Sequence, residues 1–182
     1  MTHDPRSSDA VFALLDHERA NLFAQFERVP PARRAERPGE GAWSAAEIAE
    51  HVARVEMGVA KSIVKGGEMP RTATAEERAA AQMTPRKIAA VRDRSTKVEA
   101  PERVRPTGTP SADAVPEQLR ATRVAMLGAF RGADAAVLDG ITFPHPFLGP
   151  LTLRAWVVLV AHHDARHAAQ MADVADHWLA TH

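Results

Sequence analysis

Three histidines, His51, His163 and His167, offer the clearest chemistry in this sequence. His163 and His167 stand four residues apart in the run His162-His163-Asp164-Ala165-Arg166-His167. On an α-helix that spacing puts two side chains about 40° apart on one face, one turn above the other. His162 and His167, five apart, diverge by about 140° and cannot converge on one point. Trp156 and Val160 precede His163 on the same stripe, so the His163/His167 pair is expected to face a core. His51 follows Ile48 by three residues and precedes Val55 by four, which places it on the core stripe of another helix. Three imidazoles are costly to bury without partners, and one divalent cation partners all three. Zinc takes three imidazoles and keeps a further position for water; nickel, iron and manganese also accept such a donor set. The competing reading for each ring is a hydrogen-bonded core histidine. The H-x-x-x-H spacing also lacks the glutamate of H-E-x-x-H.

Four further residues are weaker candidates. Glu47 lies one turn before His51 and is a candidate catalytic base, although the capping box explains it better, without catalysis. Arg166, about 60° from His163 around the helix, is a candidate for an anionic substrate or a solvated arginine. Gln170 continues the stripe one turn past His167 and is expected as a hydrogen-bond partner behind a ligand. His145, between Pro144 and Pro146, is a second such candidate on a loop that can approach the same region, although a packing role within that loop explains it better. His162 and Asp164 point off the stripe and are expected at the surface or an interface. His3, His17, His177 and His182 have no convergent partners, and Trp43, Trp156 and Trp178 read as core or interface residues.

The elements that must position these residues are helical, because apolar residues recur at three and four with little alternation. A first helix is expected over 8–28, with Val11, Leu15, Leu22, Phe26 and Val29 as its stripe and Pro30-Pro31 as its stop. The second starts at Ser44, which with Glu47 forms a capping box. It runs through Ile48, His51, Val55, Val59 and Ile63 to Gly66-Gly67. The third is expected over 113–131, with Pro116 in its first turn. The fourth runs from Thr152 as N-cap to about Leu179. Between the second and third lies an irregular segment, about 66–110, with one short helix near 85–92 behind Thr84-Pro85. The run 140–150, rich in Gly and Pro, reads as loop.

The whole, 182 residues, fits a single domain. Lys plus Arg and Asp plus Glu both number 23, so the net charge of zero gives no reason to expect nucleic acid or an anionic membrane as partner. The short run Arg33, Arg34, Arg37 is balanced by Glu36 and Glu40. No cysteine is present, which excludes disulfides, thiolate metal sites and a protein thiol nucleophile. No apolar run is long enough for a signal peptide or a membrane span, so a cytoplasmic location is expected.

The segments GAWSAAEIAEHVARVE (41–56) and HPFLGPLTLRAWVVLVAHHDARHAAQ (145–170) resemble the DinB-like superfamily, which includes the damage-inducible DinB proteins and the YfiT-like metal-dependent hydrolases. The W-S-x-x-E-I-x-x-H-V start of the second helix and the H-x-x-x-H-x-x-Q of the fourth carry the likeness, in order and spacing along nearly the whole chain. The resemblance implies an up-down-down-up four-helix bundle, often a homodimer, with a metal held by His51, His163 and His167. It also implies a metal-dependent enzyme acting on a small molecule, either a transferase using a low-molecular-weight thiol or a hydrolase. A non-enzymatic, stress-related metal-binding protein is the alternative, and a purely structural interaction module is a third reading.

Overall fold

The computed structural model describes residues 8–70 and 73–181; His3 and His182 lie outside them. Four long helices form the frame: α1 (Ser8–Arg28), α2 (Ala45–Gly67), α5 (Val115–Gly132) and α7 (Leu153–Ala180). All four fall where the apolar periodicity places them. α2 starts on the expected capping box: Ser44 Oγ accepts from Glu47 N at 3.2 Å, and Glu47 Oε2 accepts from Ser44 N at 2.9 Å. Such a cap contributes about 1 kcal/mol. Thr152 caps α7 by accepting from Ala155 N at 3.1 Å.

The chain directions follow from which residues meet. Arg19 reaches Asp164 and Arg28 reaches Asp176, so α1 and α7 run parallel. Gly66 lies against Leu153 while His51 meets His163, so α2 and α7 are antiparallel. Arg19 donates to Leu119 O and Arg123 to Leu15 O, so α1 and α5 are antiparallel too. The result is the up-down-down-up four-helix bundle. A Cβ at Gly66 would stand 2.6 Å from Leu153 Cδ1, so the glycine sets how closely α2 and α7 approach.

The connections carry more structure than the sequence suggests. Besides α4 (Pro85–Arg92), found where Thr84-Pro85 places it, the middle segment holds α3 (Ala75–Ala80) and a 3-10 turn at Glu102–Val104. α3 has its own capping box, Thr74 with Glu77. The expected loop at 140–150 is instead the end of α6 (Ala135–Gly140) and a hairpin. Its strands β1 (Thr142–His145) and β2 (Gly149–Thr152) are antiparallel, with Phe143 opposite Leu151. Three prolines hide these four-residue strands from pattern reading; left-handed Gly149 (φ 72°) closes the turn. Trp156 Nε1 donates to Phe143 O at 3.2 Å and so ties the hairpin to α7.

The core is in two apolar clusters. One gathers Leu15, Val59, Met126 and Val160; the other gathers Leu22, Val52, Leu119 and Ala168. Between them lies a buried layer of charge. Asp164 Oδ2 accepts from Arg19 Nε at 2.9 Å and from Arg123 Nη2 at 2.8 Å. Glu56 accepts from Arg19 at 3.0 Å, from Thr122 Oγ1 at 2.7 Å and from Arg123 Nε. Asp164 is therefore not a surface residue: it is fully buried and paired. Burial pushes its carboxyl above the usual range, against the pull of Arg19 and Arg123. His162 is buried as well, accepting from Arg92 Nε at 3.1 Å, while Arg92 also pairs with Glu18 and so docks α4 onto α1 and α7. No helix among the described residues is long and apolar enough to cross a membrane.

Candidate metal centre

α2 and α7 turn one face each to the arginine layer and the adjacent face to a cavity of about 940 Å³. His51, His163 and His167 stand on those cavity faces, as their spacing predicts. The Nε2 atoms of His51 and His167 each lie 3.1 Å from Nε2 of His163. Nitrogens sharing one ion at about 2.0–2.1 Å stand roughly 2.9–3.4 Å apart for angles between right and tetrahedral. The three rings are the metal-capable cluster among the described residues.

Their outer nitrogens fix the tautomers. His51 Nδ1 is 2.8 Å from Val104 O, and His167 Nδ1 is 2.8 Å from Gln170 Oε1. Both acceptors are oxygens, so the proton of each ring sits on Nδ1 and Nε2 presents a lone pair. His163 Nε2 faces both lone pairs and has at most one proton to give. Its Nδ1 is buried with no hydrogen-bond partner. Converging lone pairs are repulsive unless a cation binds them, so this donor set fits a divalent metal.

Burial holds His163 and His167 well below the ordinary imidazole value of 6.5, and lowers His51 as well. The sign of the pH dependence follows. Below about 6.5 the unfolded chain takes up more protons on these rings than the folded one, so stability is full above that value and is lost as pH falls. Metal binding competes with the same protons. We expect the protein to shed bound metal, and its melting temperature to drop, as pH is lowered from 7 towards 5. A chelator-competition titration across that range checks this; affinity unchanged at pH 5 counts against histidine ligands.

The acceptor for His51 comes from the middle segment between α2 and α5, and α2 holds it with three successive contacts. Arg54 donates to Arg103 O at 3.1 Å, His51 to Val104 O, and Glu50 accepts from Thr107 N and Oγ1 and from Gly108 N at 2.7–3.0 Å. Burial opposes the ionised Glu50, but these donors lower its pKa on balance. Glu50 is thus a positioning residue that the sequence reading missed. Glu50→Ala should free the loop and weaken metal binding about tenfold, the lower end of the effect of losing a partner behind a ligand. Competition with a chromophoric chelator measures this; unchanged affinity would show that Val104 stays in place without Glu50.

The weaker candidates separate. Gln170 does stand behind His167. His145 does not stand behind a ligand: its Nδ1 accepts from Phe147 N and Leu148 N, both at 3.2 Å, and its ring lies 5.1 Å from that of Trp156 on the cavity wall. Burial, with Arg103 adding to it, lowers its pKa to about 4. Glu47 is no base for this site: the cap and Arg37 take its oxygens, and it does not line the cavity. Arg166 lines the cavity and donates to the Val91 and Asp93 carbonyls at the end of α4. Trp43 and Trp156, expected in core or interface, also line the cavity; the Trp43 ring lies tilted against that of His51, centroids 5.0 Å apart.

Comparison with known proteins agrees with this architecture. The family pattern described as the DinB superfamily matches residues 14–171. The uncharacterized protein YuaE of Bacillus subtilis (strain 168) is 22% identical over 163 residues, covering 89% of this chain and 95% of that protein. The crystal structure of TT2238, a four-helix bundle protein, superposes with a TM-score of 0.58 at 25% identity, covering 90% of this chain and 96% of the other.

Proposed function

The chain belongs to the DinB superfamily, and on that premise we propose that it is a metal-dependent enzyme acting on a small molecule, by transfer of a low-molecular-weight thiol or by hydrolysis. One observation carries the reading: three imidazole nitrogens meet beside a cavity of about 940 Å³. His51, His163 and His167 would hold the ion, with zinc or nickel best matched to three imidazoles. A divalent ion bound there supplies Lewis acidity, lowering the pKa of a water or thiol on its open side. The chain has no cysteine, so a reacting thiol must come from a cofactor.

The protein's own residues orient and bind. Val104 and Gln170 hold the His51 and His167 rings by their Nδ1–H groups, which keeps those two Nε2 atoms aimed at Nε2 of His163. His145, accepting two backbone N–H bonds at Nδ1, keeps its proton on Nε2. That N–H is then available to an oxygen of a ligand lying along Trp156. The hairpin and the segment between α2 and α5 both line the cavity.

A second reading, a metal-binding protein without turnover, is favoured by the acids close to the ligands in sequence. Glu47, Glu50, Glu56 and Asp164 are all engaged elsewhere, and none faces the rings as a base. Metal-loaded protein assayed with a panel of small thiols and electrophiles, and with esters and amides alone, separates the readings. Turnover requiring both metal and thiol supports transfer, and turnover without thiol supports hydrolysis. Tight metal binding with no turnover in either assay supports the second reading.

A further inference from the structure

No carboxylate accepts from the outer nitrogen of any of the three histidines that would hold a metal. A ligating histidine commonly donates its outer N–H to a carboxylate. Here the acceptors behind His51 and His167 are a backbone carbonyl and an amide, both neutral. The three buried carboxylates on the same helices are engaged elsewhere: Glu56 and Asp164 by Arg19 and Arg123, and Glu50 by Thr107, Gly108 and Arg54. Three neutral rings would leave a bound dication its full charge.

The cavity adds to that charge. On a chain of zero net charge, Lys61, Arg94, Lys97, Arg103, Arg105 and Arg166 line this one cavity. Glu99 is the one acid among the described lining residues, and it stands 3.8 Å from Arg105. The largest side-chain charges felt by the four cavity histidines are those of Arg54, Arg94, Arg103 and Arg166, with Asp93 offsetting part of the charge of Arg166. Much of this positive charge has no matching acid in the cavity. Arg166 donates to backbone carbonyls, and Lys97 Nζ donates to Gly41 O at 3.0 Å. Arg103 has no side-chain hydrogen-bond partner among the described residues, and Arg94 gives only Nη2 to Asp173. The walls between these groups are aromatic or aliphatic: Trp43, Trp156, Leu159 and Phe147. Phe147, at the hairpin tip, is 62% exposed, an apolar lip at the entrance.

We infer that the cavity takes an amphiphilic anion: a small molecule whose carboxylate, sulfonate or phosphate lies against Arg94, Arg103 and Arg166, and whose apolar body lies along Trp43 and Trp156. Low-dielectric walls strengthen the attraction of clustered guanidiniums for such a group, and the indoles supply the area that binds the rest. This deepens the proposed function by naming the ligand class. It uses that reading for the ion's charge, whereas the arginine lining stands without it.

The test uses two fluorescent probes with the same aromatic body, anilinonaphthalene sulfonate and uncharged N-phenylnaphthylamine, titrated into full-length protein before and after zinc loading. We expect the sulfonate to saturate one site and to bind at least about tenfold more tightly than the uncharged probe, the effect of one or two charge-assisted hydrogen bonds. Arg94→Gln with Arg103→Gln should remove that preference and leave the uncharged probe's affinity within about twofold. Both are exposed, so the fold should survive; circular dichroism checks this, and either single variant serves if the pair does not fold. Equal binding of the two probes, no saturable binding of either, or a preference untouched in the variants would each overturn the inference. Elemental analysis of the same samples keeps the two claims apart. Sulfonate preference in protein that takes up no zinc sinks the metal reading alone, and zinc uptake without preference sinks this one alone.

Discussion

His163→Ala should cost metal affinity on the order of a hundredfold or more while leaving the metal-free protein as stable as before. Structural zinc sites supply about 10–16 kcal/mol through four ligands, so each ligand carries a few kcal/mol. His163 is the central ring, its Nε2 3.1 Å from both partners, so its loss leaves two nitrogens without the ligand that links them. The absence of a cost in the metal-free form comes from its Nδ1, which is buried without a partner. Removing that atom relieves a desolvation cost and offsets the small cavity left behind. Thermal melts with and without zinc read both halves of the expectation. The native protein should gain stability by mass action as zinc is added, and the variant should show almost none of that gain. A variant that keeps the native zinc shift would sink the three-histidine centre.

Glu56→Ala should destabilise the fold by about 3–5 kcal/mol, the usual cost of stranding one member of a buried ion cluster. Glu56 is 0% exposed and receives both arginines and Thr122, so its removal leaves excess positive charge with no water to solvate it. At roughly 2–4 °C per kcal/mol for a chain of this size, the melting temperature should fall by about 6–20 °C. The contrast is the replacement of Arg19, Glu56, Arg123 and Asp164 together by leucine or methionine, which should recover most of the loss, because then no charge is left unpaired. Urea unfolding of both variants measures the two effects. A Glu56→Ala loss below about 1 kcal/mol would place this cluster with solvent-screened surface pairs.

The three-histidine cluster was legible because histidine is read as a candidate ligand wherever it falls on a core stripe, and His51, His163 and His167 do so at helical spacing. Charged residues on those stripes were not read the same way, since a charge usually marks the solvated face. The signal was nonetheless in the sequence. In each long helix a charge follows one buried apolar residue by four and precedes the next by three or four: Leu15-Arg19-Leu22, Val52-Glu56-Val59, Leu119-Arg123-Met126 and Val160-Asp164-Ala168. Two positive and two negative charges in the same setting call for one another. The hairpin and Glu50 were beyond pattern reading for different reasons. Four-residue strands with proline carry too little alternation to register, and the partners of Glu50 lie more than fifty residues away.

The charge layer between the two apolar clusters has a mechanical consequence for the site beside it. Greasy helix faces can slip along one another, since one leucine row packs much like the next. A slip of one turn, about 5.4 Å, would strand Arg19 and Arg123 in hydrocarbon and pull them from their carboxylates. Glu56 and Asp164 therefore act as detents on α2 and α7, five residues after His51 and one after His163. The click that seats the acids also brings the imidazoles to the same height, so the grip on a metal is set before any metal arrives.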